Sequence, residues 1–123
     1  MADEKISQVL LPVTEMEKAK VFYAEQLGFE IVADFGQGAH HWVTLTLPGG
    51  GARLVLTTTQ GEVKPGTMTL YLSTATLEAL HHDLTAKGAP VQEVKDDLLG
   101  PGSGVKWFNT QDPDGNSWVV SQA

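Results

Sequence analysis

The sequence predicts an α+β fold made of one βαβββ module written twice, and three observations carry that prediction. Val13-Thr14-Glu15-Met16-Glu17 and Ser73-Thr74-Ala75-Thr76-Leu77 each follow a strand-like run and open a helical pattern. Each then leads to a glycine, Gly28 or Gly88, about one element later. Both halves also close with pairs of alternating strands around Gly- and Pro-rich turns. A half-domain of roughly sixty residues buries its own face poorly, whereas two related halves can share a core and leave a cleft between them. The reading is one domain over 1–123, with module one at about 5–60 and module two at about 66–122.

In the first module, residues 6 to 13 are apolar enough for a buried strand. Thr14 and Glu17 have the Thr-x-x-Glu spacing of a capping box that starts a helix. Met16, Ala19 and Tyr23, with Phe22 alongside, recur at helical spacing as its buried stripe, and Gly28 stops it. Residues 29 to 34 resume as a strand. After Gly36 and Gly38, runs from Trp42 to Leu47 and from Arg53 to Thr58 flank Pro48-Gly49-Gly50-Gly51, which signals a hairpin.

The second module repeats the order: a strand from Met68 to Ser73, a helix from about Thr76 to Lys87 with Leu77, Leu80 and Leu84 as its stripe, then a strand from Val91 to Val94. A loop rich in Gly and Asp spans 96 to 104. Strands from Val105 to Asn109 and from Ser117 to Ser121 flank Asp112-Pro113-Asp114-Gly115. Pro113 presets the second position of a type I turn, and Gly115 can take the left-handed conformation that follows.

Alternation assigns the faces. Val43, Leu45, Leu47, Leu54, Leu56, Met68, Leu70, Leu72, Trp118 and Val120 form an oily face that should carry the helices. Trp42, Thr44, Arg53, Val55, Thr69, Tyr71 and Val119 point the other way, and such a mixture of aromatics, hydroxyls and a guanidinium suits a pocket.

Composition excludes several classes. The net charge of −7 has no basic stripe, so nucleic acid is not an expected partner. No cysteine occurs, which removes disulfides, thiolate metal sites and thiol nucleophiles and fits a reducing, cytoplasmic setting. The Met1-Ala2-Asp3-Glu4-Lys5 start lacks a cationic segment followed by an apolar one, so no export leader is expected, and no stretch approaches the ~18 apolar residues of a membrane helix. A soluble protein without membrane partners is expected.

Leu11-Pro-Val-Thr-Glu-Met-Glu-Lys-Ala-Lys-Val-Phe-Tyr, followed by Leu27-Gly28-Phe29, together with Asp112-Pro-Asp-Gly-Asn-Ser-Trp near the end, resembles the vicinal oxygen chelate superfamily. That superfamily includes glyoxalase I, bleomycin-resistance proteins, fosfomycin-resistance enzymes and extradiol dioxygenases. The resemblance covers nearly the whole chain. It implies two modules forming a U-shaped, eight-stranded mixed sheet around a cleft, usually in a homodimer. It also implies a divalent ion held by four side chains, one on the first and one on the last strand of each module. Those positions fall on Gln8, Val55, Thr69 and Val119. Two are aliphatic, Thr69 is a poor neutral ligand, and such sites need three or four N or O donors. A metal-free member is therefore expected, without cofactor, binding an aromatic or anionic small molecule.

The remaining candidates have two readings each. Arg53 suits an anionic ligand, or is an exposed strand residue or part of an internal ion pair. Trp42, Tyr71 and Trp107 either stack a flat ligand or pack in the core or a dimer interface. Gln8, Thr44 and Thr69 either orient a ligand by hydrogen bonds or solvate the sheet. His40, His41, His81 and His82 lack metal-site spacing and are expected at the surface, with His81 or His82 flanking the helix stripe. The loop from Lys95 to Gly104 is either a lid that stiffens on binding or a solvated connector. No catalytic grouping stands out. Two alternatives to the binder remain: a glyoxalase-like lyase or dioxygenase with a displaced metal site built from Gln8, His40 or His41 and a loop carboxylate, and a structural or regulatory module.

Overall fold

The computed structural model describes residues 3–59, 61 and 63–123. The start at Met1-Ala2 and the module boundary at residue 60 lie outside the described residues. The chain forms two compact units, the first ending at Pro65 and the second running from Gly66 to Ala123. The described residues contain seven strands and two helices, an α+β composition.

Unit 1 runs β1 (Gln8–Pro12), α1 (Met16–Lys20, continued by a π-helical segment, Val21–Gln26), β2 (Glu30–Phe35), a 3₁₀ turn (Gly38–His40), β3 (Trp42–Thr46) and β4 (Arg53–Thr57). Its sheet has the order β1-β4-β3-β2, with β1 parallel to β4 and the other pairs antiparallel. Unit 2 runs β5 (Thr69–Thr74), α2 (Leu77–Ala86), β6 (Trp107–Gln111) and β7 (Ser117–Gln122), with sheet order β5-β7-β6 and β5 parallel to β7. Matching β1 to β5, α1 to α2, β3 to β6 and β4 to β7, the two units share one connectivity.

The strand expected over Val91–Val94 does not form a continuous ladder. Val91 bridges Thr110 and Lys95 bridges Trp107, so the pairing slips by one residue between them. A slip of the same kind falls in β2, between Ile31 and Ala33, where it leaves Val32 out of the register with β3. A β-bulge of this sort bends the bulged strand and reverses the face of every residue beyond it. In unit 1 the ladder resumes for three more residues and counts as a strand. In unit 2 it resumes only at an isolated pair.

The helices differ at their ends. The expected capping box at Thr14 and Glu17 does not set the start of α1: Glu15 is the N-cap, in an extended conformation and without a side-chain cap bond. In α2 the first amide, that of Leu77, donates to the Gln122 side chain at 3.2 Å, so the last strand supplies the cap from a distance. Helix α2 ends in a Schellman arrangement. Ala89 N–H donates to the Leu84 carbonyl at 3.0 Å and Gly88 N–H to the Thr85 carbonyl at 3.1 Å, with Gly88 at φ 81°. Helix α1 ends the same way, wound one residue wider: Leu27 donates to Phe22 at 2.9 Å, Phe29 to Tyr23 at 2.8 Å, and Gly28 has φ 86°. The wider turn accommodates three aromatic rings. Tyr23 stands edge-on to Phe22 and to Phe29, with centroids 4.9 and 5.8 Å away.

Each unit keeps its own core. In unit 1, Leu11, Val13, Val43, Leu45, Leu54 and Leu56 are buried along with Met16, Ala19, Phe22, Tyr23 and Leu27 of the helix. In unit 2, Phe108, Trp118 and Val120 are buried along with Leu77, Leu84 and Ala89. Val43, Leu45, Leu54, Leu56, Trp118 and Val120 are alternating positions the sequence pattern assigns to the helix side, whereas Leu47, Met68, Leu70, Leu72 and the helix residue Leu80 are only half-buried. The turn after β6 is a type I turn with the Gly115 amide on the Asp112 carbonyl at 3.0 Å, as its Pro-Asp-Gly chemistry requires. Its buried polar groups are satisfied locally. The Asp112 carboxylate accepts from the amides of Asp114 and Asn116 and from Asn116 Nδ2, while Asn116 Oδ1 accepts from the Met68 amide.

Candidate functional site

Strand register places side chains on the helix-free face of unit 1 in three rungs that cross the sheet. Residues paired in register point to the same side, and every second residue along a strand returns to it. The first rung is Pro12, Thr57, Trp42 and Phe35; the second is Leu10, Val55, Thr44 and Ala33. Gln8 pairs with Arg53 at the third, where β2 and β3 place Glu30 opposite Thr46. Five of the predicted site residues, Gln8, Trp42, Thr44, Arg53 and Val55, therefore share one face.

Val55 is only 3% exposed at the centre of this face, whereas Trp42 is 37% and Phe35 78% exposed. Phe35 and Leu10 belong to the surface and were not among the residues picked out from the sequence. Register is the signal that finds them: Phe35 is paired with Trp42 only because the bulge at Val32 reverses the alternation of β2. Among the described residues Arg53 makes no ion pair or side-chain hydrogen bond, and its backbone amide alone is engaged, on the Ser7 carbonyl at 3.1 Å.

In unit 2 the helix-free face carries Thr69, Tyr71, Val119, Asn109, Ser117 and Trp107. Tyr71 is 69% exposed and Val119 8%. The polar groups here are largely tied to one another. Asn109 Nδ2 donates to Ser117 Oγ at 2.5 Å and to the Trp118 carbonyl at 3.3 Å. Trp107 Nε1 donates to Asp97 at 2.9 Å, and Lys95 Nζ lies 5.6 Å from the ring centroid. Trp107 is thus occupied by its own neighbours on one face and at its N–H, which leaves it a poorer stacking platform than Trp42. The base of the loop beyond Lys95 is fixed by the reciprocal amide bonds of Lys95 and Trp107, both 2.8 Å, and by Leu98 on the Val105 carbonyl. Leu99 at its tip is exposed. A shallow depression of about 390 Å³, lined by Gly104, Val105, Lys106 and Gln122, holds none of the predicted site residues.

Of the histidines, His41 departs from the surface expectation, while His81 meets it as a residue beside the helix stripe. His41 Nε2 lies 2.5 Å from Asp34, which also accepts from Lys20 at 2.7 Å. The Lys20 and His41 bonds hold the Asp34 carboxyl below the usual carboxylate range, and the same contact raises Lys20. His81 flanks the α2 stripe, with Nε2 2.8 Å from the Gln92 carbonyl and its ring edge-on to Phe108. His40 and His82 are exposed.

The four residues that the resemblance assigns to the superfamily's metal positions do not have the donor chemistry of a divalent site. Val55 and Val119 offer only methyl groups, leaving one amide and one hydroxyl oxygen from Gln8 and Thr69. Among the described residues no group of three or more His, Asp or Glu side chains converges to hold one. Nor is a displaced site assembled from Gln8 and His41. Gln8 pairs with Arg53, His41 precedes the Trp42 that pairs with Thr57, and four residues of strand separate those levels by ~13 Å.

The βαβββ order of unit 1 and its repeat in unit 2, where the second strand is reduced to isolated bridges, with a helix on one sheet face and mixed side chains on the other, define a duplicated α+β protein of the glyoxalase type. The family model for the Glyoxalase/Bleomycin resistance protein/Dioxygenase superfamily matches residues 5–120, and the chain belongs to that superfamily. TnmS3, an antibiotic binding protein from Streptomyces sp. CB03234, is 30% identical with a TM-score of 0.85, over 99% of this chain and 98% of its own. A glyoxalase/bleomycin resistance protein from the same Streptomyces is 29% identical with a TM-score of 0.79, over 96% of this chain and 100% of its own. A superfamily member from Sphaerobacter thermophilus DSM 20745, 24% identical with a TM-score of 0.80 over 98% of each chain, shares the fold. No curated protein sequence matches. No described helix is long and apolar enough to cross a membrane.

Proposed function

We propose that this chain is a metal-free small-molecule-binding protein of the glyoxalase/bleomycin-resistance type, taking an aromatic or anionic organic ligand on the helix-free sheet surface. The observation that carries the reading is the face of unit 1, where an exposed Trp42 and an Arg53 unpaired among the described residues flank a buried Val55, which the resemblance aligns with a metal-donor position of the superfamily's enzymes. Trp42 supplies area for a flat ring at low entropic cost, and Arg53 supplies a fork of donors for a carboxylate or phenolate. Gln8 and Thr44 orient the ligand by hydrogen bonds. On the corresponding face of unit 2, Thr69, Tyr71, Trp107 and Val119 are proposed as ligand-binding residues of that unit. The antibiotic-binding relative at 30% identity supports a sequestering role.

Metal titration and ligand screening test this together. Calorimetric titration with Zn²⁺, Mn²⁺ and Ni²⁺ is expected to give no stoichiometric binding, and a thermal-shift screen of aromatic acids and antibiotics is expected to raise the melting temperature. Stoichiometric metal with a chelator-sensitive activity overturns the reading in favour of an enzyme. A homodimer is part of the proposal, since edge strands β1 and β2 leave ladder groups to cover. Light scattering giving a lone 13.2 kDa species at micromolar concentration counts against it.

A further inference from the structure

The three rungs of unit 1 are graded in polarity, and the grading specifies the ligand more narrowly than aromatic or anionic. At one end Trp42 and Phe35, both exposed, are register partners on adjacent strands. The middle rung is small and mostly aliphatic: Leu10, Val55, Thr44 and Ala33. At the other end stand Gln8 and the unpaired Arg53, with Glu30 two strands further across the sheet, ~9.6 Å from Arg53. Four residues of strand rise separate the backbone level of Trp42 and Phe35 from that of Arg53 by ~13 Å.

From this we infer that the face takes one amphipathic molecule with a flat apolar end on Trp42 and Phe35 and a carboxylate or phenolate at Arg53. The inference rests on the small-molecule-binding reading and adds to it an orientation, a length and a requirement for both chemistries in the same ligand. Charge complementarity selects the occupant. A guanidinium without an internal partner gains two parallel charge-assisted bonds from a planar anion, whereas an uncharged polycycle leaves it with water alone. A ligand much shorter than ~13 Å reaches only one end.

The test uses 4-(pyren-1-yl)butanoic acid, whose ring system and chain span the face, with its primary amide and hexanoic acid as controls, all titrated by fluorescence or calorimetry. The acid is expected to bind about tenfold or more tightly than the amide, and hexanoic acid far more weakly than either. Arg53→Gln is expected to remove the preference for the acid, lowering its affinity about tenfold or more and that of the amide by a smaller factor. Phe35→Ala is expected to weaken acid and amide by the same factor. Both sites are exposed, and unchanged melting temperatures establish that the variants fold. Equal binding of acid and amide by the parent protein, or an Arg53→Gln variant that keeps the preference, overturns the inference and leaves the binding reading standing. Absence of binding by the acid, the amide and the antibiotic panel overturns both.

Discussion

Units 1 and 2 share one connectivity and spend their helix-free faces differently. In unit 2 the polar groups of that face are consumed internally: Asn109 on Ser117, Trp107 on Asp97, Lys95 over the Trp107 ring. In unit 1 the guanidinium of Arg53 has no partner among the described residues, and Trp42 and Phe35 are exposed. Duplication fixes a scaffold because backbone pairing and a buried stripe suffice to specify it. Recognition diverges because face residues that the core does not constrain are free to satisfy one another or a guest.

The hairpin turns show the same divergence and offer the largest effect. Asn116 is fully buried and ties the Asp112 carboxylate to the first strand of its unit. Asn116→Ala is expected to cost about 3 kcal/mol in urea denaturation, since it removes the buried side-chain donor to Asp112 Oδ2 and leaves the Met68 amide without its acceptor. At the matching turn of unit 1, Gly49 faces open space, and Gly49→Ala is expected to change stability by no more than about 0.5 kcal/mol. Equal costs at the two turns would break the contrast.

The helix ends sharpen it. Gly28 and Gly88 both hold left-handed backbone with room for a methyl group, so replacing either with alanine is expected to cost about 1–2 kcal/mol from backbone strain alone. A Gly28 cost well below that of Gly88 would show that the π-wound end relaxes where the α-wound end does not.

Electrostatics give the smallest effect. Because the Asp34 carboxyl is depressed by Lys20 and then His41, its contribution is present above the ordinary carboxylate range near ~4 and is lost as pH falls through its lowered value. Lys20 is raised, so its share persists up to ~10.4 and disappears only as pH climbs beyond that through its folded value. Asp34→Asn is expected to destabilise by about 0.5 kcal/mol at pH 7 after solvent screening, with the difference vanishing near pH 2 and in 1 M salt. The fully solvent-exposed Glu78–Lys106 pair of unit 2 has the same sign, Glu78 lowered and Lys106 raised, and Glu78→Gln is expected to change the pH profile less.

Local patterns determined the duplicated α+β plan. The stops at Gly28 and Gly88, the Pro113-Asp114-Gly115 turn and the alternation of Val43, Leu45, Leu54 and Leu56 each depend on residues within one element or one turn, so the sequence carries them without reference to partners. Tertiary structure alone decided the slip at Val32 that sets Phe35 beside Trp42, the broken ladder after Val91, and the partners of His41 and His81. A bulge is a disagreement between two strands, and a hydrogen bond joins groups distant along the chain. Neither leaves a mark in the periodicity of a single segment.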